Sequence, residues 1–268
     1  MIRYLAFLKF LVYALRFESP LAWVTRFSYI LSAARSLLDL DISTKAPPLK
    51  FLIAGAGIGG LAAAVGLRQQ DHEVQIFEKS GFKNEVGAAL TVPPNVDGLL
   101  KRLGLNPDEN GGTREEWLTR YTKKGDVVTE VDFGKLRKFF SPNEAGTIHR
   151  VDLHEGLRNL ALSLGVEIHL RNAVASIDPE AGSVTLENGT TVTGDVIIGA
   201  DGINSKVRKS MFGEDQEPHP FGVTTFRLLI PTSDIVKDPL ARKFTEKDGL
   251  LTVWADQGGR NFITYPCR

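Results

Sequence analysis

The sequence predicts an α/β protein in which a doubly wound parallel sheet is followed by a second, β-rich domain. Three observations predict it. Residues 50–77 read as a short apolar strand, a glycine-rich turn, a helix and a second strand, and such a βαβ unit commits the region to parallel pairing with a right-handed crossover. The α/β alternation returns over 152–199, and beyond Phe212 the texture is β again.

The elements follow in order. Residues 51–54 are apolar and end in glycines, 61–68 continue as a helix of good formers, and 73–77 form the next strand. A helix is expected over 95–103, with Leu99, Leu100 and Leu103 on one face and Gly104 as its stop. Residues 118–131 turn at Lys124-Gly125 and read as a hairpin that interrupts the α/β pattern. Asp152 is the expected N-cap of the following helix, with Glu155 at the capping-box position; Leu153, Leu157, Leu160 and Leu164 keep helical spacing up to Gly165. A strand over 166–170 follows, then a hairpin or small meander over 174–193 turning at Asn188-Gly189, then an apolar strand over 195–199. Segments 222–230, 249–254 and 261–265 read as strands of a second sheet. The implied organisation is a leader and linker over 1–48, a nucleotide-binding domain over 49–211 with the hairpin inserted at about 118–146, and the start of the β-rich domain over 212–268.

Composition narrows the function classes. Lys plus Arg and Asp plus Glu both number 32, so no charge excess points to nucleic acid, lipid or an acidic partner. Cys267 is the only cysteine, which excludes an internal disulfide framework and a cysteine-based metal cage and suits an intracellular, reducing compartment. His149 and His154 are off the i, i+4 spacing of paired ligands and read as structural, so no metal site is expected.

The first 40 residues are apolar and basic, with Arg3, Lys9, Arg16, Arg26 and Arg35 against Glu18 and Asp39. Lys9 and Arg16 break the run into pieces too short to span a bilayer, and Lys9 interrupts the only candidate core of a secretory signal. The readings left open are a membrane-surface or organelle-targeting helix, a helix docked on the folded body, or a misassigned start codon. Location is accordingly read as cytoplasmic, or membrane-associated or organellar through this leader. Pro47 and Pro48 mark the linker after it.

The chemistry begins at Gly55-Ala56-Gly57-Ile58-Gly59-Gly60, a G-x-G-x-x-G between a strand and a helix. Gly55 permits the tight turn, Gly57 lets the backbone approach a pyrophosphate, and Gly60 lets the helix pack close to the sheet. Amides and dipole at the helix start then hold the anion. The second half of this fingerprint is an acid about 20 residues on, and Glu78 stands there at the end of the second strand. A carboxylate at that place accepts hydrogen bonds from ribose hydroxyls and favours FAD or NAD over NADP.

Further segments give the chain a resemblance to the FAD-dependent aromatic monooxygenases of the para-hydroxybenzoate hydroxylase family, and more closely to its salicylate hydroxylase-like branch. Glu78-Lys79-Ser80, Val86-Gly87-Ala88-Ala89-Leu90 and Pro94-Asn95 resemble the family segment that lies along the flavin; the family more often has glycine at the place of Ala89. His149-Arg150-Val151-Asp152-Leu153 resembles the family's arginine at a helix start, so Arg150 is expected on the flavin side. Residues 199–208, with Ala200-Asp201-Gly202, resemble the Asp-Gly motif that serves the FAD pyrophosphate and the nicotinamide cofactor. Thr225-Phe226-Arg227 and Tyr265-Pro266 resemble elements of the substrate-domain sheet, which makes Arg227 and Tyr265 the expected catalytic residues.

The resemblance covers 50–268 and implies a Rossmann-like FAD-binding domain, NAD(P)H as reductant, O2, and hydroxylation of a small aromatic or similar electron-rich substrate. The family's third motif, a Gly-Asp segment followed by Ala-Ala-His or a similar run, has no counterpart after Tyr265, so the fold is expected to be incomplete at its C-terminus. Two other readings remain: a non-catalytic FAD- or nucleotide-binding remnant, and a nicotinamide-dependent reductase without flavin, against which the Asp-Gly segment argues.

Overall fold

A computed structural model describes residues 47–82, 87–140, 146–213, 218–256 and 258–267. The leader over 1–40 and Val86 lie outside the described residues. All of the elements that follow belong to the unit Pro48–Arg268.

Strand β1 (Lys50–Ala54) runs through a turn into helix α1 (Ile58–Arg68) and strand β2 (Glu73–Glu78). The two strands pair in parallel, with Phe51 opposite Val74 and Ala54 opposite Phe77. Strand β12 (Val196–Gly199) lies parallel on the other side of β1, and β8 (Glu167–Leu170) lies parallel beside β2, giving the order β12-β1-β2-β8. A run that is apolar at every position suits a strand covered on both faces. In β1, Phe51 and Ile53 join one core and Leu52 and Ala54 the other, as the two-residue period of a strand requires.

The first core lies under α1 and α4 (Arg150–Ser163), where Leu61, Val65, Leu157 and Ala161 meet Ile53 and Ile76. The second face is covered mainly by a three-stranded meander, β9 (Val174–Asp178), β10 (Ser183–Leu186) and β11 (Thr191–Thr193), together with the short helix α5 (Lys206–Phe212). Val174, Val184, Leu186 and Val207 pack there against Leu52, Ala54 and Phe77.

Two further sheets, one of three strands and one of four, complete the described part of the unit. Strand β3 (Ala89–Val92), followed by helix α2 (Pro94–Arg102), pairs antiparallel with β7 (Gly146–His149), which also pairs with β4 (Thr113–Arg114). The hairpin of β5 (Trp117–Tyr121) and β6 (Val127–Asp132), followed by helix α3 (Phe133–Phe140), joins the late strands β13 (Leu250–Ala255) and β14 (Asn261–Thr264) in the order β14-β13-β5-β6. The second sheet is therefore assembled from two distant stretches, with β13 parallel to β5. No helix among the described residues is long and apolar enough to cross a membrane.

Two local expectations are corrected. Residues 222–230 form no strand and lead into helix α6 (Thr232–Lys237). Their alternating composition has strand chemistry, but a strand needs a neighbour to take its amides, and none pairs with it among the described residues; Phe226 is 89% exposed. Helix α4 begins at Arg150 with His149 as N-cap, so Asp152 lies in the first turn instead of capping it. The cause is local: β7 runs straight into the helix, and the Arg150 amide donates to the Ala88 carbonyl at 3.1 Å, which leaves less for a capping side chain to satisfy. The Asp152 carboxylate still favours that end of the helix dipole.

The packing of α4 on α1 should rest on Leu157, which is fully buried between them and the sheet. Leu157→Ala is expected to lower unfolding stability by about 2–5 kcal/mol, read from the urea midpoint at unchanged slope. A loss below about 1 kcal/mol would show that α4 is not tied into this core.

Candidate functional site

The turn between β1 and α1 is shaped by crowding on two sides and by open space on the third. Gly55 has φ +100°, and a Cβ there would sit 2.5 Å from the Ala200 carbonyl oxygen. A Cβ at Gly60 would sit 2.0 Å from the carbonyl oxygen of Gly55. Neither position has room for a side chain. Gly57 is different, since a Cβ there would meet nothing within 4 Å. Protein packing therefore explains the outer two glycines, and the middle one lines an open face of the backbone.

That open face is the start of a helix. Gly57 is the N-cap of α1 and makes no side-chain cap, and the first turn carries no acid. The first amides of a helix have no intrahelical acceptor, and together with the positive end of the dipole they favour an anion. The amides just before them are already used: Gly55 N–H donates to the Phe77 carbonyl at 2.8 Å, and Ala56 N–H donates to Glu78 Oε2 at 2.8 Å. Glu78, buried at the end of β2, also accepts from the Ser80 amide through Oε1 at 2.7 Å. Each carboxylate oxygen has a second acceptor site beyond these bonds. The residues present thus fit a dinucleotide, with an open amide cradle for its pyrophosphate and an adjacent carboxylate for ribose hydroxyls.

Asp201 adjoins this turn through Ala200, whose carbonyl crowds Gly55. Its Oδ1 accepts from the Ser205 hydroxyl at 2.6 Å and its Oδ2 from the Lys206 amide at 2.7 Å. Ser205 Oγ in turn accepts from the Arg208 amide at 2.9 Å. Both side chains are committed to starting α5, so Asp201 fixes the approach of Ala200 to the glycine turn.

A second group gathers on β3. Gly87 has no room for a side chain either, since a Cβ would lie 2.8 Å from the His149 ring and 2.9 Å from Val151. Ala89 is buried opposite His149, and Arg150 is half-buried at the first position of α4. The Ala89 carbonyl accepts from the Tyr265 hydroxyl at 3.1 Å and from Arg227 Nη1 at 3.4 Å. Tyr265 and Arg227, from segments far along the chain, therefore meet at one atom of the Gly87–Ala89 segment. The sequence reading passed over two contributors: Ser205, and His154, whose Nε2 lies 2.7 Å from the Ala56 carbonyl. Burial is the missing signal, since a histidine on an apolar helix face gives no hint in the sequence of what its nitrogens meet.

The contrast between neighbouring glycines gives a test. Gly57→Ala is expected to leave the melting temperature nearly unchanged and to weaken FAD binding at least about tenfold, because the added methyl enters the open face. Gly60→Ala should instead destabilise the fold by about 1–3 kcal/mol or more. Equal effects of the two on FAD affinity and on melting would contradict this division of roles.

Comparison with known proteins agrees with the geometry. A family profile described as an FAD binding domain matches residues 49–249. The FAD-dependent monooxygenase cfoG of Aspergillus candidus is 37% identical over 233 residues, covering 83% of this chain and 54% of that protein. Hispidin-3-hydroxylase of Neonothopanus nambi is 41% identical over 236 residues, covering 82% of this chain and 56% of that protein. The chain thus spans about half the length of the curated relatives it matches. In fold it is similar to 2-methyl-3-hydroxypyridine-5-carboxylic acid oxygenase, with a TM-score of 0.64 at 23% identity, over 83% of this chain and 57% of that one. The chain belongs to the FAD-binding family of flavin-dependent aromatic monooxygenases.

Proposed function

We propose that this chain is the cofactor-binding and part of the substrate-binding portion of a monooxygenase that uses FAD, NAD(P)H and O2 to hydroxylate a small, electron-rich aromatic substrate. The observation that carries the reading is the meeting of Arg227 and Tyr265 at the Ala89 carbonyl, on the segment expected to run along the flavin. Among the relatives, one is named for hydroxylating hispidin and another, 31% identical, is named 3-hydroxybenzoate 6-hydroxylase.

When bound, FAD supplies the redox chemistry, which no side chain can. The chain's own residues bind and orient. The amides from Gly57 onward hold the pyrophosphate, Glu78 takes ribose hydroxyls, and Arg150 supports the flavin side. Gly87 and Ala89 bring a close-packed apolar strand against the cofactor. Tyr265 is committed to Ala89 and lines the substrate ring. Arg227 touches the same carbonyl only at 3.4 Å; a guanidinium has five donors, so most of its capacity is left to hold a phenolate or carboxylate. Residues 49–211 make up the nucleotide-binding domain and 212–268 the start of the substrate domain, whose sheet also takes in the hairpin β5–β6. Residues 1–40 are read as a membrane-surface or targeting segment of an otherwise intracellular enzyme, which fractionation of full-length and 49–268 proteins checks: identical distributions end that reading.

The enzymatic test is NAD(P)H consumption by the FAD-loaded protein with a panel of phenolic carboxylates, with products followed by mass for the added oxygen atom. Stimulated consumption with a hydroxylated product is expected. Arg227→Ala should raise KM for an anionic substrate about ten- to a hundredfold, since a hydrogen bond to a charged group contributes about 1.5–3 kcal/mol, while leaving FAD affinity unchanged. Bound FAD with no substrate-stimulated consumption would favour a non-catalytic flavin-binding module.

A further inference from the structure

We infer that His154 is a positioning residue for the cofactor, holding the Ala56–Gly57 peptide so that the Gly57 amide faces the open side of the turn. The inference rests on the FAD site proposed above and adds to it a residue that touches no cofactor.

A trans peptide is planar, and its carbonyl and N–H point in opposite directions. Fixing the Ala56 carbonyl therefore fixes the direction of the Gly57 N–H. The Ala56 carbonyl can only accept, so the His154 Nε2 at 2.7 Å carries the proton and donates to it, across 98 residues of sequence. His154 itself is 2% exposed. The neighbouring peptide is fixed through its other end, where the Ala56 N–H donates to Glu78 Oε2 at 2.8 Å. Both peptide planes that flank Ala56 are thus held by buried side chains, one from α4 and one from β2. Beside Gly57 the turn is open, with nothing among the described residues within 4 Å of where a Cβ would stand.

The imidazole is itself held in place. Phe82 packs edge-on against it, with ring centroids 4.9 Å apart at 66°, and the Arg158 guanidinium lies 5.8 Å from the Phe82 ring. Phe82 has φ 57°, a left-handed conformation that is unfavourable for a bulky side chain and persists only where its surroundings enforce it. Phe82 is therefore held beside the imidazole as an aromatic wall for His154. Without the tether, glycines on both sides of Ala56 would let the Ala56–Gly57 peptide rotate at little cost, and the Gly57 amide would lose its aim.

The test uses the full chain and titrates it with FAD, following quenching of the flavin fluorescence, with ADP as a competitor and thermal melts with and without FAD. His154→Phe should weaken both FAD and ADP about tenfold, the equivalent of about 1.4 kcal/mol, in the range of one buried hydrogen bond. It should also shrink the FAD-induced rise in melting temperature measured from the variant's own baseline. His154→Gln, whose amide can still donate to the Ala56 carbonyl, should recover wild-type affinity to within about threefold. If His154→Phe does not fold, His154→Asn takes its place with the same expected loss, since its shorter amide fits the space without reaching Ala56. Wild-type affinity in the variant lacking the donor, or a Gln variant as weak as that variant, overturns the inference. A wild-type chain that binds no FAD overturns the cofactor reading first and this inference with it.

Discussion

Between Ala54 and Ile58 the chain must pass from strand to helix while keeping its backbone amides turned outward, and the packing around it leaves few ways to do so. Ala200 closes one side at Gly55, and Gly55 closes the other at Gly60. Glu78 takes the Ala56 amide and His154 the Ala56 carbonyl. Three separate segments of the sequence, at Glu78, His154 and Ala200, therefore converge on about six residues of turn. The cost of that crowding is borne by the two apolar cores on either side of β1, which hold β2, β12 and α4 at the distances the turn needs.

The same economy appears at the second cluster. The Gly87–Ala89 segment is pressed against His149 and Val151 and receives Tyr265 and Arg227 at one carbonyl. A backbone carbonyl on a buried strand is a fixed point. Using it as a common acceptor lets residues from the far end of the chain be placed relative to the cofactor segment without a dedicated partner for each. Tyr265 directly follows β14, which belongs to a sheet in which β13 pairs in parallel with β5, so the placement also depends on a hairpin more than a hundred residues earlier.

Much of this was legible in the residues because it is written in local rules. The strand, glycine turn and helix around Gly55, the carboxylate at Glu78 and the meander over 174–193 all follow from short-range pattern, and the structure has each in place. What was not legible depends on distant partners. Residues 222–230 have the alternation of a strand, yet pairing is a property of two segments, and composition reports only one. Asp152 has the sequence context of an N-cap, but the preceding strand β7 delivers the chain to Arg150 already in position, so the helix starts earlier. The stretch 118–131 reads as a hairpin and forms one, β5–β6, while its sheet follows only from the strand it meets. His154 looked structural, and it is buried as a structural residue would be. Its significance comes from the particular carbonyl that it meets, across a separation no local pattern encodes.

The central claim is that the open face of the turn at Gly57 receives the dinucleotide. Amide-resolved 1H–15N spectra of the chain during titration with FAD test this most directly. The account predicts that the Gly57, Ile58 and Gly59 amide resonances shift together as FAD binds, while those of the remote turn glycines Gly125 and Gly189 stay where they are. Saturable FAD binding that leaves the Gly57–Gly59 resonances unmoved, with the shifts confined to the sheet of β13 and β14, would contradict it.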